Sequence, residues 1–405
     1  MKQYLKFWKA MIRAAFQGST AYYLWLAALG LPVAMGLVAW IFQLKYGLQL
    51  THMSDQVSWG AYIANFTFLV GVGAAAVLLV VPSYLYRRED IREVVFLGEL
   101  VAFTAITLCL MFVTVDLGRP ERFLHMLPFI GRLNFPQSIL AWDVIVLTGY
   151  LLLNMHIPGY LLYRHYLQRR PSRRYYLPFV YMSIGWAISI HTVTAFLYSG
   201  FGGRPYWNTA IMAPRFLISA FASGPAILIL VFTIVQMRGV FPVKASVIDY
   251  LKNVIKVALP LNFFLLACEL FKEIYTGSTH ALSVRYLFLG IDGHQMIAPY
   301  IWGSLLASLV AMVIFLVPRL RQNQAWLLTG CGLTIIGVWI EKGMGVIIPG
   351  FIPSPLGDLV EYTPSVVEFM VSLGIWSFGA LMLTVLIKVA SAIERGDLVA
   401  SKTDQ

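Results

Sequence analysis

The sequence VDLGRPERFLHMLPFIGRLNFPQSILAWDV, residues 115–144, connects the end of one apolar segment to the start of the next. Charges of both signs and a titratable histidine are concentrated here, namely Asp116, Arg119, Glu121, Arg122, His125, Arg132 and Asp143. Asp143 stands inside the second apolar segment, where an ionisable side chain is costly and usually functional. The stretch therefore predicts two membrane spans joined by a loop that carries the functional centre.

The composition of the chain excludes a soluble domain. Of its 405 residues, 59% are hydrophobic and 12% are charged, and the mean hydropathy is +0.74. A soluble domain of this length cannot bury so much apolar surface, so a multi-spanning membrane protein is predicted. The net charge of +11 resides mainly in alternate loops. This distribution indicates membrane topology and argues against a nucleic-acid partner.

Three cysteines, Cys109, Cys268 and Cys331, lie far apart in apolar segments. Their spacing fits neither a zinc site nor an iron–sulfur cluster. No metal site is therefore expected in this chain.

Ten apolar segments are long enough to cross a membrane, and all are predicted to be helices because a lone strand cannot satisfy its backbone in lipid. The basic N-terminus resembles the start of a signal peptide, but no small-residue cleavage site follows it, so the first segment is expected to be retained. The predicted spans are residues 22–42, 57–82, 94–115, 138–162, 176–199, 212–237, 253–275, 296–317, 325–341 and 366–390.

Basic residues assign an orientation to these spans. Lysine and arginine occur mainly in the N-terminal stretch, in every second connection, and in the tail at Lys388, Arg395 and Lys402. The positive-inside rule places these segments in the cytoplasm. Both termini are then cytoplasmic, and residues 115–144 lie on the outer face of the membrane.

Polar residues of four successive spans recur at a similar depth near the outer face. Tyr62 and Asn65 begin the second span, Asp116 ends the third, Asp143 begins the fourth, and His191 lies about two turns from the outer end of the fifth. Intramembrane polar residues are usually functional. Two alternatives stay open, because Tyr62 could be an interface anchor and His191 a hydrogen-bonded packing residue.

A second polar set occupies the later spans. Its members are Glu269, Lys272, Glu273, Glu341, Lys342 and Glu368. The first three are spaced to pair with one another on one helix. A structural ion-pair role and a functional role both remain open for this set.

The third span carries a possible proton route. Thr104 and Thr107 share one helical face with Glu93 and Thr114, and Glu99 lies about one turn inside the membrane from the cytoplasm. Such a stripe could line a water-filled path. The alternative is that each threonine donates to a carbonyl of its own helix or holds two helices together.

A histidine and an aspartate among aromatic residues near the outer face suit a quinone head, which needs hydrogen-bond partners at two carbonyls and a group that exchanges protons. A haem between His156 and His191 is disfavoured, because the two differ in depth by about 15 Å; a haem held by one of them with another ligand stays open. A secondary transporter is the alternative function, and it would carry ionisable residues at the midplane of two matching halves. The ionisable residues of this chain cluster near the outer face instead, which argues against a transporter. A purely structural membrane anchor leaves the outer cluster unexplained.

Five motifs resemble those of the NrfD/PsrC family of quinone-interacting membrane subunits. They are DLGRPERFLHML (116–127), SILAWDV (138–144), IHTVTAF (190–196), PRFLISAFASGPA (214–226) and CELFKEIYTGSTHALSVRYLFLG (268–290). The last resembles more narrowly the DsrP/HmeB branch, which belongs to membrane complexes linked to dissimilatory sulfur metabolism.

The resemblance implies an all-helical protein of ten spans in a prokaryotic cytoplasmic membrane. Spans 2–5 and 6–9 would form two four-helix bundles flanked by spans 1 and 10, which divides the chain into residues 1–56, 57–199, 200–341 and 342–405. It also implies a site for menaquinone or another quinone in the first bundle, near the outer face. An extracytoplasmic ferredoxin-like iron–sulfur subunit would exchange electrons with the quinone, and further membrane, cytochrome and cytoplasmic subunits would complete a respiratory complex. No haem or iron–sulfur cluster is expected in this chain.

The resemblance also suggests roles for individual residues. His125 and Asp143 match family positions that are candidate quinone ligands, so they are expected to bind the head and exchange its protons. From their positions in the sequence rather than from the resemblance, Asp116 and Arg119 are expected to fix the loop, for which an ion pair is one arrangement, while Tyr62, Asn65, Trp142 and His191 are expected to line the pocket. A proton path by way of Glu99, Thr104, Thr107 and Glu269 is a hypothesis from depth alone.

Overall fold

The computed structural model describes residues 2–127, 129–277, 280–354 and 356–400. Over these residues 77% of the chain is helical and no strand forms. Ten of the described helices are long and apolar enough to cross a membrane, which confirms the predicted fold class. Lys402 and the rest of the predicted tail from residue 401 lie outside the described residues. We number the spans 1 to 10 in chain order, with the bounds Thr20–Tyr46, Ala61–Leu85, Val95–Asp116, Ile139–Tyr166, Arg173–Ser199, Met212–Met237, Ala245–Thr276, Ala298–Leu316, Gln324–Phe351 and Val366–Glu394.

Side-chain caps fix the starts of spans 9 and 10. Asn323 Oδ1 accepts a hydrogen bond from the backbone nitrogen of Ala325 at 3.0 Å, just before span 9. Ser365 and Glu368 form a reciprocal capping box before span 10, each side chain accepting from the other residue's backbone nitrogen. Both devices satisfy amide groups that have no partner within the helix. The predicted starts of these two spans lie within one residue of the observed ones.

The structure departs from the predicted elements at three places along the chain. A helix that we name α1, Lys2–Phe16, precedes span 1, where the sequence suggested only a basic tail. Span 9 continues beyond its predicted end at residue 341, through the short helices Met344–Ile347 and Pro349–Phe351. A further helix, His280–Leu289, lies between spans 7 and 8.

The spans pack as two closed rings. In the first, span 2 contacts spans 3 and 5, and span 4 contacts the same two; spans 6 to 9 contact one another in the same cyclic order. The rings meet along a seam formed by spans 2, 5, 6 and 9, span 10 packs on span 3, and span 1 packs on span 10. These contacts are those that two flanked four-helix bundles would make, and the division into separate bundles and domains stays a prediction.

Small residues allow the closest helix approaches. In the seam, an added Cβ on Gly224 of span 6 would lie 2.3 Å from the Cβ of Ala75 on span 2. Between spans 1 and 10, a Cβ on Gly36 would lie 2.7 Å from the Cα of Gly374. Helices in lipid associate through such close packing, because no hydrophobic effect drives them together.

Both ends of the described chain lie on one side of the spans. The Phe7 ring of α1 packs 5.2 Å from the ring of Tyr163 and 5.3 Å from that of Tyr166, at the end of span 4. The backbone nitrogen of Ala400 donates to the carbonyl oxygen of Tyr166 at 2.8 Å. An even number of spans and these contacts place the two ends together; that this side is cytoplasmic stays a prediction.

Candidate functional site

The loop between spans 3 and 4 is exposed and partly helical. Residues Pro120–Met126 form a short 3-10 helix, on which His125 is exposed. Arg119 forms an ion pair with Glu121 at 3.6 Å. The expected ion pair between Arg119 and Asp116 is therefore not formed. Arg119 extends toward solvent, where its charge is well hydrated, and Asp116 ends a buried helix.

Asp143 lies one turn inside span 4 and is buried, with 4% of its surface exposed. Its Oδ1 accepts a hydrogen bond from the hydroxyl of Thr194 on span 5 at 2.9 Å. Neighbouring Trp142 points elsewhere, because successive helical residues lie on different faces. Its indole nitrogen donates to the carbonyl oxygen of Pro136 at 2.8 Å, and its ring packs on that of Phe135. Trp142 and Asp143, which are adjacent in the motif SILAWDV, therefore lie in different surroundings.

Tyr62 and Asp116 belong to a second buried cluster, where the end of span 1, the start of span 2 and the end of span 3 meet. The Tyr62 hydroxyl donates to Gln43 Oε1 at 2.7 Å, and Gln43 Nε2 donates to the carbonyl oxygen of Val115 at 2.7 Å. Asp116 Oδ1 is buried and has no hydrogen-bond partner in the described part of the chain. Sequence reasoning missed Gln43, because this residue lies just beyond the predicted end of span 1 at residue 42, whereas the observed span continues to Tyr46.

Glu368 completes this cluster from span 10. It is fully buried, accepts from the backbone nitrogen of His52 at 3.0 Å, and accepts a hydrogen bond from the Tyr362 hydroxyl. Burial, and then the neighbouring Glu368 carboxyl, raise the pKa of Tyr362, which therefore remains a protonated donor. Spans 1, 2, 3 and 10 are joined at this point.

Asn65 forms a separate junction. Its Oδ1 accepts from the indole nitrogens of Trp339 on span 9, at 2.9 Å, and Trp376 on span 10, at 3.0 Å. Its Nδ2 donates to the carbonyl oxygen of Ala61 at 2.9 Å. With these three bonds the amide ties spans 2, 9 and 10 together.

His191 faces the seam between the two rings. It lines a cavity of about 10 Å³, room for about one water molecule, together with Lys342 of span 9. His191 Nε2 and Lys342 Nζ are both buried without a hydrogen-bond partner among the described residues, and His191 Nδ1 lies 3.1 Å from the Ala187 carbonyl oxygen. Asp143 does not line this cavity, which is too small for a quinone head.

A buried ion-pair network occupies the second ring. Arg215 of span 6 forms an ion pair with Glu269 of span 7, and its Nη2 lies 2.9 Å from Glu341 Oε1 of span 9. Asn262 Nδ2 donates to the other oxygen of Glu341 at 2.9 Å. Among the described residues Glu269 pairs with Arg215 from the facing helix and not with the helix neighbours that its spacing would allow. Lys272 and Glu273 do pair, at 3.0 Å. Sequence reasoning missed Arg215 although its motif was noticed.

The residues of the candidate proton route on span 3 differ in their hydrogen bonding: the two threonines have partners within their own helix, and Glu99, as far as the structure describes the chain, does not. Thr104 and Thr107 donate to the carbonyl oxygens four residues before them, at 2.9 and 2.8 Å, which is the alternative considered from the sequence. Glu99 is buried, and neither of its carboxyl oxygens has a hydrogen-bond partner within the described ranges.

The residues expected at one outer depth therefore occupy four places. Asp143 pairs with Thr194, Tyr62 and Asp116 join the cluster of Gln43, Asn65 binds two indoles, and His191 faces the seam. Depth along a helix follows from position in the sequence, but depth does not say which face of each helix a residue occupies. Whether these residues bind a quinone stays a prediction.

Residues 49–353 match the family model described as polysulphide reductase, NrfD, which is well over half of the chain. The chain belongs to the NrfD family. A protein of Halobacterium salinarum, provisionally named as a membrane subunit of dimethyl sulfoxide reductase, is 26% identical over 88% of this NrfD chain and 88% of its own length. The Hdr-like menaquinol oxidoreductase integral membrane subunit of Archaeoglobus fulgidus is 21% identical over 93% of this chain and 94% of its own. The integral membrane subunit of menaquinone reductase from Nitratidesulfovibrio vulgaris is 22% identical over 89% of each.

These similarities confirm the resemblance to the NrfD family and show a multi-pass membrane protein whose relatives are membrane subunits of multi-subunit reductases and quinone oxidoreductases. Among the residues that the structure describes, no group of three or more His, Cys, Asp or Glu side chains could hold a metal ion.

Proposed function

We propose that this NrfD chain binds quinone near the outer membrane face and exchanges its electrons with an extracytoplasmic iron–sulfur subunit of a respiratory complex. Menaquinone is the proposed substrate, in keeping with the menaquinol and menaquinone named for two relatives. A place in the DsrP/HmeB branch and in dissimilatory sulfur metabolism is proposed from residues 268–290. The proposed orientation puts both termini in the cytoplasm.

The observation that carries the proposal is the position of Asp143. Its carboxyl group is buried one turn below the exposed loop that holds His125, and it retains only one side-chain hydrogen bond among the described residues, from Thr194. A buried carboxyl with spare acceptor capacity can accept a hydrogen bond from a quinol hydroxyl or, when protonated, donate one to a quinone carbonyl. Oxidation of a quinol releases two electrons and two protons, so a nearby proton acceptor is required.

His125 would meet the head from the outer side. The described structure joins it to Asp143 by no hydrogen bond or ion pair, and the histidine is exposed on the short 3-10 helix. An imidazole can accept a proton at one ring nitrogen and release one from the other, which suits transfer of the second proton toward the outer aqueous phase. The connection between spans 3 and 4, which contains His125, also exposes the apolar side chains of Leu124, Phe129 and Ile130. We propose that this apolar surface is where the iron–sulfur subunit docks.

The remaining predicted residues would act around this centre. Five of them would hold the outer ends of the helices and the loop in place, namely Tyr62, Asn65, Asp116, Arg119 and Trp142. His191 would act from the seam. For a proton route, Glu99 is the strongest of the proposed members (Glu99, Thr104, Thr107 and Glu269), because burial leaves its carboxyl oxygens without partners in the described chain.

The decisive experiment replaces Asp143 by Asn. Asp143→Asn preserves shape but removes the exchangeable carboxyl proton, so we expect quinol-linked turnover of the assembled complex to fall by at least about a hundredfold. The control is Asp249→Asn, which removes an exposed carboxylate paired with Lys252 near the start of span 7. Unchanged turnover in Asp143→Asn, with the complex intact, would remove Asp143 from the mechanism.

A second experiment tests His125. His125→Phe keeps a ring of similar size without a proton-exchanging nitrogen, and we expect it to weaken binding of a quinone analogue and to lower turnover. Tight binding to the variant, measured by fluorescence titration, would place the pocket away from this loop. Solute uptake by vesicles that contain this chain alone would instead support the transporter alternative.

A further inference from the structure

Helix α1, Lys2–Phe16, contributes no residue to the proposed quinone site and presents a separate surface. At about 100° per residue its side chains fall into three arcs. One arc faces the protein, where Phe7 is buried against Tyr163 and Tyr166. The other two arcs are exposed, and they differ in chemistry.

The first exposed arc is apolar. It carries Tyr4, Leu5, Trp8, Ile12 and Phe16, each with between 46% and 71% of its surface exposed. Large apolar side chains in one line are unfavourable in water, since contiguous exposed apolar surface favours association with another apolar surface. This arc therefore requires an apolar environment.

The second exposed arc is basic and adjoins the first. Lys6, Lys9 and Arg13 follow one another along it at three- and four-residue spacing, and all three are exposed. An apolar arc beside a basic arc is the pattern of a helix that lies in a membrane interface, with its apolar side among acyl chains and its cations at phosphate level.

Hydrogen bonds attach the end of α1 and the turn after it to spans 1 and 10. The chain turns between α1 and span 1, where the Tyr22 hydroxyl donates to the carbonyl oxygen of Ala15 at 2.8 Å and Lys388 of span 10 donates to that of Gln17. Span 1, which follows this turn, also exposes apolar side chains, among them Leu24 and Trp25.

We propose that α1 is an in-plane anchor that binds anionic phospholipid head groups of the leaflet at the termini. The apolar arc enters the acyl region, while Lys9 and Arg13 contact lipid phosphates. A membrane surface fits both exposed arcs at once, because a bilayer offers acyl chains and anionic phosphates side by side at a fixed depth. A protein partner is the competing occupant that the experiment must exclude.

The first test measures depth. A nitroxide is attached to Ile12→Cys or Lys9→Cys of the full chain, in a Cys268→Ser background because Cys268 is exposed, and the protein is reconstituted in bilayers. We expect the Ile12 label to be reached by oxygen and not by a water-soluble nickel reagent, and the Lys9 label to be reached by the nickel reagent. An Ile12 label open to nickel, or closed to both reagents in the native complex, would overturn the proposal.

The second test measures the lipid contact. Lys9→Gln/Arg13→Gln should weaken retention of phosphatidylglycerol by about tenfold or more in mixed phosphatidylcholine discs at low salt. The matched control is Arg170→Gln/Arg173→Gln, which removes one charge from the connection between spans 4 and 5 and one from the first residue of span 5, on the same side. Equal retention in the first variant and the unmodified protein, or an equal loss in both variants, would contradict specific binding by α1.

Discussion

At the scale of single residues, Arg215 is the charge whose partners the sequence could least reveal. It was visible within PRFLISAFASGPA, but its two carboxylate partners come from spans 7 and 9, and no local spacing encodes a contact between helices. Asp143 was easier, because a carboxylate one turn inside an apolar segment is costly in lipid and usually faces the protein interior. Its partner Thr194, on another helix, could not be predicted.

Replacement of Arg215 by Met should destabilise the protein strongly. The variant leaves Glu269 and Glu341 buried close together without their shared cation, a loss that typically costs roughly 3–5 kcal/mol. Lys244→Met is the matched control, because its pair with Glu93 is half exposed on both sides and should contribute at most about 1 kcal/mol. Unfolding in increasing sodium dodecyl sulfate measures both; similar midpoints would show that the buried network carries no special stability.

At the scale of elements, the ten spans could be predicted because length and apolarity suffice to define them. Their packing order could not, since all the spans are apolar and lipid contacts resemble protein contacts. Helix α1 was missed for a related reason: a short amphipathic helix has low average hydropathy, and its basic residues suggested a tail. The hydrogen bonds of Asn65 were likewise set by tryptophans on two distant spans.

The contact between spans 1 and 10 provides a test at this scale. Gly36→Leu would push the backbone of span 10 away, because even a Cβ at this position would lie 2.7 Å from the Gly374 Cα. We expect a loss of about 1–3 kcal/mol or separation of span 1 from span 10. Gly30→Leu on the same helix, where a Cβ would meet nothing within 4 Å, should be neutral. Equal thermal stabilities of the two variants would show that this crossing is not tight.

At the scale of the whole molecule, the alternation of basic connections predicts an orientation that can be measured. In the Cys268→Ser background, Glu121→Cys should react with a membrane-impermeant maleimide added to intact spheroplasts, since this residue is exposed in the loop with His125. Arg170→Cys, in the connection between spans 4 and 5, should react only after permeabilisation. The reverse pattern of labelling would invert the protein and move the quinone site to the cytoplasmic face.

The contacts at Tyr166 have a consequence for biogenesis. Its ring packs against Phe7, near the beginning of the chain, and its carbonyl oxygen binds the amide of Ala400, near the end of the described chain. The first contact can form early in synthesis, but the second must wait until the chain has been translated beyond residue 400. The contact with Ala400 therefore forms only after span 10 has been translated, and Tyr166 connects an early and a late translated part of the described chain.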